Sequence, residues 1–149
     1  MRAVVQRVSQ AAVDIDGSTV GQIGDGLLVY LGVQTGDTEG DARYLADKIR
    51  YLRVFPDEAN HMNRDVRHAA GAVLVVSAFT TAGDARKGRR PSFDHAAGAE
   101  EADPLYQLVC RLLTESGLTV ATGRFGAMMS VRSTNAGPVC ILLDSRRTF

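Results

Sequence analysis

Asn135-Ala136-Gly137-Pro138-Val139-Cys140 lies among two apolar runs, Met128 to Val131 and Val139 to Leu143. Glycine accepts almost any backbone angle and proline fixes its own, so Gly-Pro marks a tight backbone feature. Both runs read as strands, which places that feature where a sheet ends. X-Pro is also the bond at which a cis peptide costs little, about 0.5–1 kcal/mol. A cis Gly137-Pro138 would turn two carbonyls toward one spot, a wall of acceptors that needs no side chain. The plainer reading is an ordinary turn joining two strands.

The same pattern continues outward from this point. Residues 2–8 and 11–15 read as strands, with Asp16-Gly17 as a hairpin turn closing the second. Leu27 to Val33 and Val73 to Phe79 are mostly apolar and read as buried strands. Leu118 to Ala121, Ala127 to Ser133 and Val139 to Leu143 complete the set. Thr38 followed by Asp41 has the form of a helix start, and Ala42, Leu45, Ala46, Ile49 and Leu52 make one apolar face. A second helix is expected from Asp103 as cap and Pro104 in the first turn, with Leu105, Leu108, Val109, Leu112 and Leu113 as its buried stripe and Gly117 as its end. Ser145 to Phe149 reads as a loose tail. Strands outnumber helices, so the fold class is mixed α and β.

Composition narrows the function. A chain of 149 residues suits a single domain over 1–149, and at this length roughly 68–70% of the unfolded surface can be buried. Lysine plus arginine and aspartate plus glutamate number 17 each. That balance argues against a broad grip on nucleic acid and allows a local basic contact. Arg86-Lys87-Gly88-Arg89-Arg90 is the dense basic run, which either meets phosphate through Lys87, Arg89 and Arg90 or is a solvated loop. Two cysteines, Cys110 and Cys140, suggest no disulfide framework and hence a reducing, cytoplasmic compartment. Cys110 falls within the helical pattern as a small buried residue. No signal segment or membrane span is read.

The chemistry-bearing residues form no familiar hydrolase set. There is no Gly-x-Ser-x-Gly elbow and no phosphate loop. His61, His68 and His95 lack metal-ligand spacing, so neither a metal nor a cofactor is expected.

Several blocks resemble the D-aminoacyl-tRNA deacylase (D-tyrosyl-tRNA deacylase) family, in that family's order. They are Met1 to Val8, Gly24 to Val33, Tyr44 to Ile49, Lys87 to Phe93, Thr122 to Ala127 and the Asn-x-Gly-Pro segment. The resemblance implies three layers, α/β/β, with helices over two packed sheets. It also implies a homodimer whose sites lie near the subunit boundary, and the aminoacylated 3′ end of tRNA as the partner. Ser77-Ala78-Phe79-Thr80 matches the pocket segment Ser-Gln-x-Thr, whose hydroxyls and amides would serve catalysis. Gly137 and Pro138 would exclude L side chains, and Arg7 would brace the Gly-Pro segment of the partner subunit. Phe125, Gly126 and Met129 match positions near the terminal adenosine. The residues themselves leave Phe79, Phe125 and Met129 open to a second reading as core.

Two positions depart from the pattern. Ala78 stands where the family has glutamine, and Cys140 where it usually has threonine. The implied activity is hydrolysis of D-aminoacyl-tRNA, with glycyl-tRNA also admitted. The alternatives are an RNA-end binder without activity and an editing hydrolase of altered substrate range.

Overall fold

The computed structural model describes residues 1–149. Its strands are β1 (Arg2–Ile15), β2 (Ser18–Ile23), β3 (Gly26–Gly32), β4 (Phe55–Pro56), β5 (Met62–Arg64), β6 (Ala72–Ser77), β7 (Val120–Thr122) and β8 (Ser130–Asp144). Its helices are α1 (Glu39–Tyr51) and α2 (Ala99–Glu115), and a 3-10 turn covers Phe79–Ala82. Strands hydrogen-bond in the order β2-β1-β3-β6-β7, with β8 also paired to β1, and β4 and β5 form a separate small ribbon.

The alternation of side chains in β3 and β6 builds the layers. Leu27, Val29 and Leu31, with Val73 and Val75, face a core that includes Ala42, Leu45 and Ile49 of α1 and Tyr106, Val109 and Leu113 of α2. Leu28, Leu74 and Val76 point the other way and pack with Val8, Ala11, Val13 and Ile23. Period-two alternation sends neighbours to opposite faces, and both faces of these strands are buried. The second layer is the far half of the same sheet, folded over. At the fold, a Cβ on Gly21 of β2 would lie 2.3 Å from the Thr122 carbonyl oxygen of β7, so only glycine lets the two layers meet there. The expected three layers are present, and one continuous six-stranded sheet supplies both β layers.

Local signals hold where the chain is short-ranged. Asp16 and Gly17 both have positive φ, 49° and 79°, as a tight hairpin requires. The Thr38 backbone N–H and hydroxyl both donate to Asp41 Oδ2, closing the start of α1. Gly117, at φ 88°, ends α2.

Four expectations need correction. Residues 2–8 and 11–15 are one strand, β1, because β8 runs along both parts. Helix α2 starts at Ala99, with Gly98 as cap, and Pro104 lies inside it. Pro104 withholds one N–H from the helix ladder, and the helix continues through it to Glu115. The last residues are tied down: Ser145 N–H donates to the Met1 carbonyl, Arg146 pairs with Asp37, and the Arg2 guanidinium lies over the Phe149 ring. Gly137-Pro138 does not join two strands but sits within β8.

Candidate active site

Gln6 pairs with Cys140 and Val8 with Asn135. Between these pairs one residue of β1, Arg7, faces four of β8, and Ala136 to Val139 are pushed out as a bulge. The Gly137-Pro138 bond is cis, as expected. Gly137 has φ 149°, and a Cβ there would lie 2.8 Å from Val139 Cγ2 and 3.1 Å from Arg7 Nη2. Any larger residue would have to displace the clamp.

Two side chains hold the bulge. Asn135 Oδ1 accepts from the Val139 N–H at 2.8 Å, and its Nδ2 donates to the Val139 carbonyl at 3.1 Å. Arg7 Nε donates to the Ala136 carbonyl at 2.8 Å, while Nη1 donates to the Val54 carbonyl at 2.5 Å. A planar guanidinium can serve two carbonyls in fixed directions, which an ammonium does less well. Arg7 thus braces the Gly-Pro segment of its own chain, which corrects the expected bracing across to a partner. The reason is register: Arg7 lies on β1 directly beside the β8 bulge. Asn135 and Val54 escaped the sequence reading as site-builders. For Asn135 the available signal was an amide two residues ahead of Gly-Pro; a backbone acceptor such as Val54 leaves none.

The second segment lies at the C-terminal end of β6. Ser77 ends the strand opposite Leu31 of β3. The Ala78 N–H donates to the Leu31 carbonyl, and the Thr81 N–H donates to the Ala78 carbonyl. The amides of Phe79 and Thr80 open the 3-10 turn and have no partner inside it. Ser77 and Ala78 are half-buried, whereas Thr80 is exposed. Phe79 is 58% exposed and meets Phe93 edge-on at 5.1 Å, so its reading as core is wrong. The strand ends here and the chain turns outward, leaving the ring at the surface.

Phe125 and Gly126 follow β7, which runs parallel to β6. Phe125 is half-buried and rests 5.7 Å from the ring of Tyr106. The Tyr106 hydroxyl donates to the Val75 carbonyl, and burial raises its pKa further above the usual range. Burial likewise pushes the Cys110 thiol up to about 11. Ser77 to Thr80 and Phe125 to Gly126 therefore share the carboxyl ends of parallel strands, where ligands of α/β sheets commonly bind. Met129 stands apart from them. It packs on the second core, with its Sδ against Gly123.

The basic run sits in the loop after the 3-10 turn. Asp84 and Ser92 bridge its base, and Phe93 ties it to Phe79. Arg86 is spent on Asp84, at 2.5 Å, and the guanidinium holds that carboxyl well below the usual range. Lys87, Arg89 and Arg90 are exposed. His61, His68 and His95 are exposed at separate places. Cys140 is exposed and free, and Cys110 is buried and free.

The two segments are not brought together within one chain. The bulge lies level with Arg7, which pairs with Leu27 at the start of β3, and Ser77 pairs with Leu31 at its end. They are four residues apart along the strand and three strands apart across the sheet, about 13 Å by about 14 Å.

A family model described as D-Tyr-tRNA(Tyr) deacylase matches residues 4–144. The chain belongs to that deacylase family. A D-aminoacyl-tRNA deacylase of Anaeromyxobacter dehalogenans is 58% identical over 149 residues, all of both chains. Another from Halalkalibacterium halodurans is 52% identical over 146 residues, 98% of this chain and all of the relative. Among solved structures, a c-Myc DNA unwinding element binding protein matches with TM-score 0.91 and 37% identity, covering 97% of this chain and 98% of that one. A probable eukaryotic D-amino acid tRNA deacylase shares the fold, with TM-score 0.81 and 17% identity, covering 95% and 97%. In deacylase terms, the braced bulge carries the Asn-x-Gly-Pro segment and the β6 end carries the Ser-Ala-Phe-Thr segment.

Proposed function

We propose that two backbone-built segments, Ser77 to Thr80 and Gly137-Pro138, run the reaction together across a homodimer. The reaction follows from family membership: the chain is a D-aminoacyl-tRNA deacylase, a proofreading hydrolase. The observation that carries the residue roles is the separation of the two segments along β3. One chain offers a strand end that can receive an ester and, at the other end, an exposed bulge that can close a pocket. A second copy related by a two-fold axis would set the bulge of each against the strand end of the other.

The ester to the tRNA 3′ ribose is activated and needs a positioned water and an oxyanion stabiliser. Water attacks the carbonyl carbon, the oxyanion collapses, and the ribose oxygen leaves with a proton. The neighbouring ribose hydroxyl can help move that proton. Amides at Phe79 and Thr80, with the hydroxyls of Ser77 and Thr80, are the donors, and a preorganised donor of this kind is worth roughly 2.7–4 kcal/mol. The carbonyls of Gly137 and Pro138 receive the α-amino group, and the braced bulge collides with an L side chain. Selection of the D hand is therefore by exclusion. Glycine has no side chain to exclude, so glycyl-tRNA also enters. Phe125 and Gly126 receive the terminal adenosine, with base stacking worth about 1–3 kcal/mol. Lys87, Arg89 and Arg90 meet tRNA phosphates.

No helix is long and apolar enough to cross a membrane. We place the enzyme in the cytoplasm, as one domain over 1–149, which two free thiols support. The deciding experiment is deacylation of D-tyrosyl-, glycyl- and L-tyrosyl-tRNA by purified protein, with light scattering at micromolar concentration. Hydrolysis of the first two alone by a dimer is expected. A fully active monomer would overturn the shared site.

A further inference from the structure

A cavity of about 510 Å³ opens where the C-terminal ends of α1 and α2 meet the Asp65–His68 segment. Arg50, Tyr51, Arg67, His68 and Ser116 line it. None of these residues belongs to the segments assigned to the reaction. The cavity belongs to the Gly-Pro end of the molecule: Tyr51 is three residues from Val54, at most about 11 Å of chain, and Val54 accepts from Arg7.

The cavity wall is cationic, and its acids are already engaged. Asp65 accepts from the His68 N–H and meets the His68 ring at 2.8 Å. Burial pushes the Asp65 carboxyl up, but these contacts outweigh it and its pKa is lowered. Arg50 Nη2 reaches Asp47 at 2.9 Å, while its guanidinium lies 4.5 Å above the Tyr51 ring. The Arg50 Nε is shielded from solvent and has no hydrogen-bond partner. Arg67 is exposed and forms none of the chain's ion pairs.

These groups are not needed to cap α2. The carbonyls of Leu112, Leu113 and Thr114 in its last turn are served by the Ser116 N–H and hydroxyl, the Gly117 N–H and the Leu118 N–H. What remains is the free guanidinium of Arg67, the stacked guanidinium of Arg50 and an imidazole edge around one opening. Guanidinium forks suit tetrahedral oxyanions.

We propose that this cavity binds a phosphate group, and that during proofreading the phosphate is one from the tRNA backbone. The tRNA assignment rests on the tRNA hydrolase reading. The cavity gives the substrate a second anchor, distinct from the Lys87–Arg90 loop at the other end of β3. The anchor holds the nucleic acid and takes no part in bond cleavage.

Arg67→Ala and Arg67→Lys test it, since an exposed arginine can be replaced without disturbing the core. Three readouts are compared: binding of uncharged tRNA across a salt series, deacylation of D-tyrosyl-tRNA, and deacylation of the short ester 3′-D-tyrosyl-adenosine. Arg67→Ala is expected to reduce the salt slope of tRNA binding by about one unit. It should raise KM for the full tRNA at least fivefold, leave kcat unchanged and leave the short ester unaffected, with Arg67→Lys recovering part of the loss. An unchanged salt slope and KM would overturn the anchor. Inorganic phosphate titrated by NMR separates the sources: phosphate binding lost in Arg67→Ala with tRNA binding intact would overturn the tRNA assignment. If wild-type protein cleaves neither ester, the hydrolase reading fails, while the tRNA salt series still decides the anchor.

Discussion

Arg7 Nε donates a 2.8 Å hydrogen bond to the carbonyl of Ala136, 129 residues away in the chain. The same guanidinium reaches the Val54 carbonyl, so one side chain joins β1, the segment after α1 and the β8 bulge. Hydrogen bonds from a charged donor contribute about 1.5–3 kcal/mol each. Arg7→Ala should therefore lower kcat/KM for D-tyrosyl-tRNA by at least tenfold and the melting temperature by several degrees. Arg7→Lys should recover part of the stability and less of the activity. Full activity in Arg7→Ala would show that the bulge holds its shape unaided.

The β6 end has backbone donors and two hydroxyls but no strong base. Thr80→Ala should leave measurable deacylation, because Thr80 is one donor among several. The exposed thiol of Cys140 should form no acyl intermediate, and Cys140→Thr should change the rate less than tenfold, under about 1.4 kcal/mol. Quenched reactions examined by mass spectrometry give the check: an acyl group trapped on Thr80 or Cys140 would replace this account with nucleophilic catalysis. Ala78→Gln is the complement. Both backbone groups of Ala78 are already bonded, so a gain of tenfold or more would have to come from the added side chain.

Among the cations of the basic loop, Arg86 is neutralised by Asp84 while Lys87, Arg89 and Arg90 remain exposed. Replacing those three with alanine should weaken tRNA binding and flatten its salt dependence by about one unit per lost phosphate contact. Arg86→Ala should flatten it less. Equal slopes for wild type and the triple variant, measured by filter binding, would mark the loop as merely solvated.

The start of α1 carries a pH-dependent share of stability. Burial pushes the Asp41 carboxyl up, but hydrogen bonds from Ser145 and Thr38 outweigh it and hold the pKa at about 2. A depressed aspartate stabilises the fold above its ordinary value and loses that contribution as pH falls through the folded one. Asp41→Asn should cost about 1 kcal/mol at pH 7, the usual worth of a helix cap. Urea titrations from pH 7 to pH 2.5 should show the gap to wild type begin to close below about pH 4. A gap independent of pH would mean that the carboxylate's charge is not what holds the turn.

The features legible from residues alone are local ones. They include the Asp16-Gly17 hairpin, the Thr38–Asp41 helix start, the Gly117 stop and the two-sided apolar strands β3 and β6. In each, the controlling residues lie within a few positions of one another, and turn chemistry or periodicity carries the signal. The start of α2 is not at the local signal Asp103-Pro104: the helix begins at Ala99 and runs through both residues. The candidate site was legible only as separate blocks, through their likeness to the deacylases. Three further features come from the folded arrangement: Gly137-Pro138 is a bulge, Arg7 braces it within its own chain, and the β6 end lies at the other end of β3. Each depends on the register of strands distant in sequence. Register is set by which faces find a common core, and no contiguous stretch of residues carries it.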